Sequence, residues 1–384
     1  MKVAFFTNFI NHHQVHVADE LYKVLGSNYT FVATEDIPQS FKNNGYPDYS
    51  DRPYLLKAYL DENKEVAMHL GEEADVVIIG SAPEVYVKKR LALNKLTFRY
   101  SERWFKDGYY HLLSPRAWKN YYNCHTKYRN SNLYMLCASA YTAGDVSKIF
   151  AYPNKCFKWG YFTSVEKFDF EASFASKQGT MHILWCARFL VLKHPELPIK
   201  LAKRLKDAGY SFVIDMFGSG EEFERTKQLA KELDVENVVA FRGNVPNAEI
   251  LEEMHKHDIF LFTSDRNEGW GAVLNEAMSS GCAVVASNLI GSVPFLVKHN
   301  ENGLIFESEN IDSLFENVKY LIDNTQERYR LSKNAYETML NVWSPENAAK
   351  RLLQLMQGLL RGDKIEFEDG PCSKAKVISA NRIY

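Results

Sequence analysis

The sequence predicts an α/β protein of two doubly wound domains, each with a parallel sheet covered by helices. Short apolar runs alternate with longer amphipathic segments along the chain. The runs are continuously apolar rather than alternating, which is typical of strands buried on both faces. The pattern begins again near Met181, and a chain of 384 residues is long enough for about two or three domains.

The strand predictions follow these apolar runs in chain order. They fall at Lys2–Thr7, Tyr29–Thr34, Val76–Gly80, Lys95–Tyr100, Leu133–Cys137, His182–Ala187, Phe212–Phe217, Val238–Phe241, Ile259–Thr263, Ala283–Ser287 and Gly303–Phe306. Amphipathic stretches between them, such as Glu221–Leu233 and Asn275–Ser280, predict helices. From Asp312 onward the pattern is helical, and Ser344-Pro345 predicts a capped helix start that leads to about Leu360.

The polar segment Glu171–Gly179 is interpreted as the linker between the domains. The predicted organisation is a first domain over 1–178, a second over 179–343, a closing helix over 344–361 and an extension over 362–384. The extension is predicted because the residues from Arg361 onward are polar and lack periodicity.

Composition excludes several classes of protein. Hydrophobic residues make up 46% and charged residues 24%, the proportions of an ordinary globular protein. A formal charge of −2 argues against a generally basic nucleic-acid-binding protein. Six scattered cysteines without a C-x-x-C pair predict reduced thiols and a cytoplasmic location. We find neither a signal peptide nor an apolar run of the ~18–20 residues that would span a bilayer.

The segment after the strand that ends at Thr263 contains the most informative motif. Ligands of parallel sheets bind beyond the carboxyl ends of the strands. Here Glu268 and Glu276 stand eight residues apart, and Gly269 and Gly271 bracket a tryptophan. The glycines let backbone N–H groups approach an anion at a helix start, and the carboxylates can accept hydrogen bonds from hydroxyls. A polyhydroxylated ligand with a diphosphate fits this pattern. A helix start with a solvated glutamate is the alternative.

Three further segments follow predicted strands. Arg188 and Lys193 could clamp phosphate oxygens and stabilise a leaving diphosphate, or could be solvated surface charges. Gly218-Ser219-Gly220 begins like a dinucleotide fingerprint, but Phe223 occupies the place of its third glycine. The turn from Arg242 to Val245 could line a base pocket with backbone groups.

In this order and spacing, the segments resemble the second domain of family-4 retaining glycosyltransferases, of the group 1 type that builds capsular polysaccharide, lipopolysaccharide and exopolysaccharide. These enzymes have the GT-B fold, in which two Rossmann-like domains face a central cleft. The resemblance covers about 181–360 and includes Asn302-Gly303-Leu304 and the helix after Trp343-Ser344-Pro345, which in that fold returns to the first domain. Two positions depart from the family pattern, because a bulky Trp270 follows Gly269 and Phe295 stands where an acidic residue is common.

The resemblance implies roles for the residues of these motifs. Glu268 contacts the donor sugar, Glu276 contacts the nucleotide ribose, and Arg188 and Lys193 hold the diphosphate. Neither a metal nor a cofactor is implied. The implied donor-binding residues are Gly218, Arg242, Gly243, Val245, Gly269, Trp270, Gly271, Ala272, Val273 and Glu276.

The first domain matches the family less well. Asn11, His12 and His13 follow the first strand, where a phosphate of the acceptor or donor would approach, although an ordinary histidine pair at a helix start fits as well. His12 and His16 have the spacing of a metal pair, but no third ligand is evident. Glu102 lies near the position of a family histidine and could act as an acceptor-side base or hydroxyl anchor, or pair with Arg99 or Arg103.

Residues 88–130 combine eleven cations with two acids and ten aromatic rings. This composition is typical of a surface that rests on anionic headgroups. RNA stacking is the rival, without an RNA-binding motif to support it. A core-facing aromatic set with a solvated basic face is equally consistent.

Together these patterns predict a retaining glycosyltransferase that moves a sugar from a nucleotide sugar to a glycan or lipid-linked acceptor, at the inner face of the membrane and without a nucleic-acid partner. A nucleotide-sugar epimerase of the same fold and an inactive GT-B-like binding module are the alternatives. The epimerase would consume donor without an acceptor, and the inactive module would bind no nucleotide.

Overall fold

A computed structural model describes residues 1–39, 47–177 and 179–378, which form two compact units. Unit 1 comprises Met1–Ser164 and Trp343–Ile378, and unit 2 comprises Val165–Val342. Each unit is built on one parallel sheet, and both sheets have the same strand order.

Unit 1 contains a seven-stranded sheet in the order β3-β2-β1-β4-β5-β6-β7. Its strands are β1 (Val3–Thr7), β2 (Tyr29–Ala33), β3 (Leu55–Lys57), β4 (Val76–Ile79), β5 (Thr97–Ser101), β6 (Leu133–Cys137) and β7 (Cys156–Lys158). Its helices before the chain enters unit 2 are α1 (Val15–Leu25), α2 (Lys64–Glu73), α3 (Val85–Ala92), α4 (Pro115–Cys124) and α5 (Thr142–Ser147).

Unit 2 contains a six-stranded sheet in the order β10-β9-β8-β11-β12-β13. Its strands are β8 (Met181–Cys186), β9 (Phe212–Phe217), β10 (Val239–Gly243), β11 (Ile259–Phe262), β12 (Ala283–Ser287) and β13 (Leu304–Phe306). Its helices are α6 (Phe170–Ser176), α7 (Glu196–Asp207), α8 (Phe223–Glu232), α9 (Asn247–Lys256), α10 (Val273–Ser279), α11 (Val293–Leu296), α12 (Ile311–Asp323) and α13 (Thr325–Asn341).

The strand order reverses once in each sheet, between β1 and β4 in unit 1 and between β8 and β11 in unit 2. Helices on both faces bury the strands, so that β1, β4, β11 and β12 are buried along their whole length. Ligands of such sheets bind where the order reverses, outside the carboxyl ends of the strands. The fold therefore places a candidate site in each unit and confirms the predicted pair of doubly wound domains.

The last helix, α14 (Pro345–Arg361), packs on α1 and so belongs to unit 1. The hydroxyl of Ser344 caps it by accepting a hydrogen bond from the backbone N–H of Asn347 at 3.3 Å. After α14 the chain runs antiparallel to β7, where Lys158 and Ser373 are joined by an N–H to carbonyl bond of 2.7 Å. Residues 372–375 thus pair with the edge of the sheet, where the sequence predicted only a polar extension.

The predicted linker over 171–179 is wrong, because most of it forms α6. Asp169 caps this helix, and Phe170 and Phe174 pack against the ring of Tyr329 at 5.7 and 5.1 Å between centroids. These contacts attach the segment to unit 2. The boundary between the units therefore lies at residue 164 rather than 178, and the second boundary lies at 342.

Candidate functional site

The loops after β8 and β9 interlock at the carboxyl end of the sheet in unit 2. The N–H of Phe189 donates to the carbonyl of Ser219 at 2.9 Å. Gly218 has φ +125°, and a Cβ at this position would lie 2.0 Å from the carbonyl oxygen of Ala187. A Cβ on Gly220 would lie 2.4 Å from the carbonyl oxygen of Phe189. The two glycines are therefore required by the close approach of these loops.

Lys193 and Glu268 form an ion pair where the loops after β8 and β11 meet. Lys193 ends a short 3-10 helix, and its carbonyl accepts a hydrogen bond of 2.6 Å from the hydroxyl of Thr263. The indole of Trp185 donates to the same hydroxyl at 2.8 Å. Ser264 donates a further hydrogen bond of 3.1 Å to Glu268. These contacts bring two of the predicted catalytic side chains together.

Arg188 is exposed at the start of the same loop. Among the described residues its guanidinium forms no ion pair within 4.0 Å. The positive charge of Arg188 is therefore available to an anion at this end of the sheet. The neighbouring ammonium of Lys193, in contrast, is paired with the carboxylate of Glu268.

His194 is a charged group of this site that the sequence analysis missed. Its ring nitrogens lie 2.9 Å from Glu196 Oε1 and 3.5 Å from Asp265 Oδ2. The neighbouring carboxylates of Asp265 and Glu196 raise the pKa of His194 to about 10. The imidazole is therefore protonated at neutral pH and anchors the loop after β11 beside Lys193. Only its adjacency to Lys193 hints at this in the sequence.

Glu276, on α10, is buried, and burial raises the pKa of its carboxyl to about 7. Asn247, the first residue of α9, donates a hydrogen bond of 3.1 Å to Glu276 Oε1. Sequence analysis did not identify Asn247, because an asparagine at a helix start is ordinarily read as a capping residue.

The side chain of Trp270, one of the implied donor-binding residues, lies in the core of unit 2. The indole is fully buried, donates to Asn275 Oδ1 at 2.9 Å and lies 6.3 Å from the ring of Phe295. Gly271 is needed here, since a Cβ would come 2.2 Å from the ring of Phe262. The side chain of Trp270 therefore supports the loop rather than facing a ligand. The two departures from the family pattern, Trp270 and Phe295, prove to be neighbours in the core.

Arg242 is engaged by a neighbouring carboxylate. Its Nε lies 2.6 Å from Asp215 Oδ1, and the second oxygen of Asp215 lies 2.9 Å from Nε2 of His257. These two partners hold the pKa of Asp215 below its usual value despite its burial. Arg242 and Val245 also line a cavity of about 540 Å³ together with three glutamates, Glu249, Glu252 and Glu253. Gly243 follows with φ +71°.

Within the described ranges, one group of three side chains has the proximity that a metal site needs: His182, Asp215 and His257. Both oxygens of Asp215 are already engaged, one by Arg242 and the other by His257. The predicted pair of His12 and His16 gains no third acidic, histidine or cysteine ligand among the described residues.

Of the three residues predicted on the acceptor side, Asn11 lines a cleft in unit 1, whereas His12 and His13 are outside its lining. Asn11 lines the cleft and accepts a hydrogen bond of 3.0 Å from the N–H of His13. Burial lowers the pKa of His12 to about 4 and holds that of His13 well below its usual value. The His13 ring stacks on Tyr161 with centroids 4.6 Å apart. Both histidines are neutral at pH 7, which argues against the phosphate contact considered for them.

Glu102 also lines this cleft, and its partners differ from those considered. Its oxygens accept hydrogen bonds from Tyr161 and, at 2.6 Å, from Lys106. Arg99 pairs instead with Glu84, and Nε of Arg103 lies 3.8 Å from Asp145. Both alternatives that paired Glu102 with these arginines are therefore wrong.

The stretch 88–130 is divided between core and surface. Arg90 is fully buried and donates to main-chain carbonyls, including that of Leu96 at 2.6 Å. Burial lowers its pKa to about 10. Arg99, Arg103, Phe98 and Phe105 are buried too. Among the residues of this stretch that are exposed, we call the following six the basic aromatic surface: Tyr109, Tyr110, Leu113, Arg116, Lys119 and Tyr122.

Part of the chain is similar in sequence to known proteins. The family described as Glycosyl transferases group 1 matches residues 166–338. An uncharacterized glycosyltransferase of Haemophilus influenzae is 30% identical over 160 residues, which are 42% of each chain. The poly(glycerol-phosphate) alpha-glucosyltransferase of Bacillus subtilis is 29% identical over 160 residues, 41% of this chain and 23% of that enzyme. The chain thus spans less than half the length of these two relatives.

The fold is shared more widely than the sequence. HepE of Anabaena, solved in complex with UDP, superposes with a TM-score of 0.67 over 93% of this chain and 100% of HepE, at 14% identity. That likeness covers both units and gives them the GT-B fold of glycosyltransferases. The match to the family described as Glycosyl transferases group 1 lies within unit 2.

Proposed function

We propose that this protein is a glycosyltransferase that moves a sugar, with retention of its anomeric configuration, from a nucleotide sugar to a glycan or lipid-linked acceptor. The observation that carries the proposal is the paired Lys193 and Glu268 beside an exposed Arg188 at the carboxyl ends of β8 and β11. HepE binds UDP, and the Bacillus relative is named for transfer of α-glucose, which supports a nucleotide donor and an α product.

In this proposal Arg188 and Lys193 bind the diphosphate of the donor. The bond between the anomeric carbon and the diphosphate oxygen breaks, and negative charge develops on that oxygen. Two cations near this oxygen stabilise the charge, which lowers the barrier. The acceptor hydroxyl oxygen bonds to the anomeric carbon, and its proton passes to the departing diphosphate. Charge neutralisation is thus assigned to side chains rather than to a metal.

Glu268 and Glu276 serve recognition in this scheme. Glu268 retains lone pairs for hydroxyls of the donor sugar, because Lys193 and Ser264 engage the same one of its oxygens, Oε2. The buried Glu276 and the exposed Asn247 form an acceptor and donor pair that suits the hydroxyls of a ribose. In the same scheme, backbone groups of the loop that contains Gly218 and Gly220 also contact the donor.

The assay for this function is release of nucleoside diphosphate from a panel of UDP-, GDP- and ADP-sugars, with and without glycan acceptors. A transferase needs acceptor for full turnover and forms a new glycoside. Product formed from donor alone, with an inverted sugar hydroxyl, would instead identify an epimerase. Failure of every nucleotide to bind would contradict the proposal.

The basic aromatic surface supports a second part of the proposal, namely docking on an anionic bilayer at its cytoplasmic face. Cations beside exposed tyrosines and leucine match the charge and polarity of a headgroup layer. All six cysteines are unpaired, which fits a reducing compartment. In the described part of the chain, every helix is too short or too polar to cross a membrane.

Vesicle flotation tests the docking. We expect the protein to float with vesicles that contain phosphatidylglycerol and not with pure phosphatidylcholine. Replacing Arg116 and Lys119 by glutamate should abolish flotation. The same change of charge at Lys227 and Lys231, exposed on α8, serves as the control. Equal loss in both variants, or flotation unchanged in the first, would contradict docking through this surface.

A further inference from the structure

A cleft of about 560 Å³ opens at the carboxyl ends of β1, β4 and β5 in unit 1. Its wall is polar and aromatic rather than apolar. The side chains that the argument uses are Glu84, Arg99, Glu102, Trp104, Asn120 and Tyr121. All of the residues that line this cleft belong to unit 1.

The charges of the cleft do not suit an anion. Arg99 is the arginine of the lining, and both of its terminal nitrogens face the carboxylate of Glu84, with Nη2 to Oε2 at 2.8 Å. The same Nη2 donates to the carbonyl of Cys124 at 3.0 Å. His125 is neutral, because burial holds its pKa well below the usual value. Within the lining, a phosphate would therefore meet two carboxylates, Glu84 and Glu102, and one arginine whose charge Glu84 already matches, while Lys106 outside the lining pairs with Glu102.

The remaining groups suit hydroxyls. Carboxylate oxygens accept hydrogen bonds from hydroxyls, and the side-chain amides of Asn8, Asn11, Gln14 and Asn120 can both donate and accept. Trp104 and Tyr121 stack with centroids 5.7 Å apart and an angle of 11° between the rings. Such rings offer apolar area next to polar groups, as the carbon-bound hydrogens of a sugar ring require.

We infer that this cleft binds a neutral, hydroxyl-rich ring, a sugar residue without phosphate, as the part of the acceptor that is recognised. The inference rests on the proposed function, which it deepens by giving the acceptor's chemical class. An acceptor that presents phosphate to this cleft, as a poly(glycerol phosphate) would, is the competing possibility.

The first test is ligand-observed saturation-transfer NMR on the full chain with UDP present. The probes are methyl glycosides of glucose, galactose, mannose and N-acetylglucosamine, together with the corresponding sugar 6-phosphates. We expect at least one neutral glycoside to bind more tightly than its 6-phosphate. The replacement Tyr121→Ala should weaken that binding about three- to tenfold. Tyr122→Ala, exposed on the same helix and outside the lining, should leave it unchanged.

A second pair of variants guards against loss of packing around Tyr121. Asn120→Ala, in the lining, should weaken glycoside binding, whereas Asn123→Ala, on the same helix but outside the lining, should not. Thermal melts of the four variants identify any that are misfolded. Equal effects at positions inside and outside the lining would overturn the assignment of the cleft.

Removing the counter-charge of Arg99 should let the cleft bind phosphate. Glu84→Gln removes the counter-charge of Arg99 and should increase binding of the 6-phosphate relative to the neutral glycoside. Glu72→Gln, which frees the exposed Lys89 outside the lining, is the matched control and should not. Tighter binding of the 6-phosphate by the wild-type protein, or binding of UDP without any neutral glycoside, would overturn the inference and leave the proposed function standing. Absence of nucleotide binding would contradict the function itself.

Discussion

The ammonium of Lys193 and the carboxylate of Glu268 form an ion pair across 75 residues of sequence. Both side chains are mostly buried, at 13% exposure each. A buried ion pair is stable when its charged groups form further hydrogen bonds. Here the hydroxyl of Ser264 donates one to the carboxylate of Glu268. The site is therefore organised before a donor arrives.

Removing either partner of this pair should impair transfer more than stability. We expect Lys193→Ala to lower kcat about 10²- to 10³-fold, because the charge that develops on the leaving diphosphate loses a cation. Glu268→Ala should act through the donor sugar and give a comparable loss. The double variant should lose less than the product of the two single losses, since the residues contact each other. Lys203→Ala, at an exposed pair on α7, is the control. Equal kcat in Lys193→Ala and Lys203→Ala would contradict the role.

Glu276 should make stability depend on pH. The folded protein holds its proton up to about pH 7, whereas an ordinary glutamate releases it near 4.5. Folding therefore binds a proton between these values, and stability falls as pH rises through that window. The variant Glu276→Gln lacks this loss, so its Tm relative to wild type should rise between pH 5 and 8, while its affinity for UDP falls. Glu224→Gln, exposed on α8, should show neither change. A Tm difference that is independent of pH would contradict the raised pKa.

Gly218 should tolerate no side chain. A Cβ there would collide with the backbone of Ala187, and φ +125° disfavours any other residue. We expect Gly218→Ala to lower Tm and to weaken nucleotide binding by moving the loop that carries Arg188. Gly209→Ala is the matched comparison, because Gly209 has φ +79° with open space around it. That variant should lose only about 1–2 kcal/mol and keep its affinity for UDP. Equal Tm in the two variants would contradict the close approach.

The residues after α14 should be part of the folded unit. A chain that ends at Asp363 loses the bonds to β7 and the ion pair of 2.6 Å between Lys158 and Asp369. It exposes an unpaired strand edge, which favours association between copies. We expect a lower Tm and larger species in light scattering after size exclusion. Asp369→Asn, which removes only the ion pair, should change Tm far less. A truncated chain that melts like wild type as a monomer would contradict this.

Sequence pattern predicted most of the fold, because buried parallel strands are continuously apolar. Leu133–Cys137 and Ala283–Ser287 coincide with the predicted strands. The pattern missed β3 and β7, which have three residues each and lie at sheet edges. It also missed the pairing of 372–375 with β7, because that pairing uses backbone atoms and leaves no side-chain signature.

Residues of the site that directly follow strands could be predicted from the sequence. Residues whose position depends on packing between distant loops could not. The pairing of Lys193 and Glu268 follows from two strand ends at one edge of a sheet. The burial of Trp270 does not, since it depends on Phe295 from another loop. The composition of 88–130 groups Arg90 with the surface cations. In the structure Arg90 is buried and donates hydrogen bonds to three main-chain carbonyls, which composition does not predict.

The most direct test of the proposed function is release of nucleoside diphosphate from the donor panel by wild-type protein and by Glu268→Ala with an acceptor glycan present. We predict turnover of at least one nucleotide sugar by the wild type, and a loss of about 10²-fold or more in the variant. Binding of that nucleotide should persist in the variant through Arg188 and Lys193. Turnover by Glu268→Ala at the wild-type rate, or no turnover and no binding of any nucleotide sugar by the wild type, would contradict it.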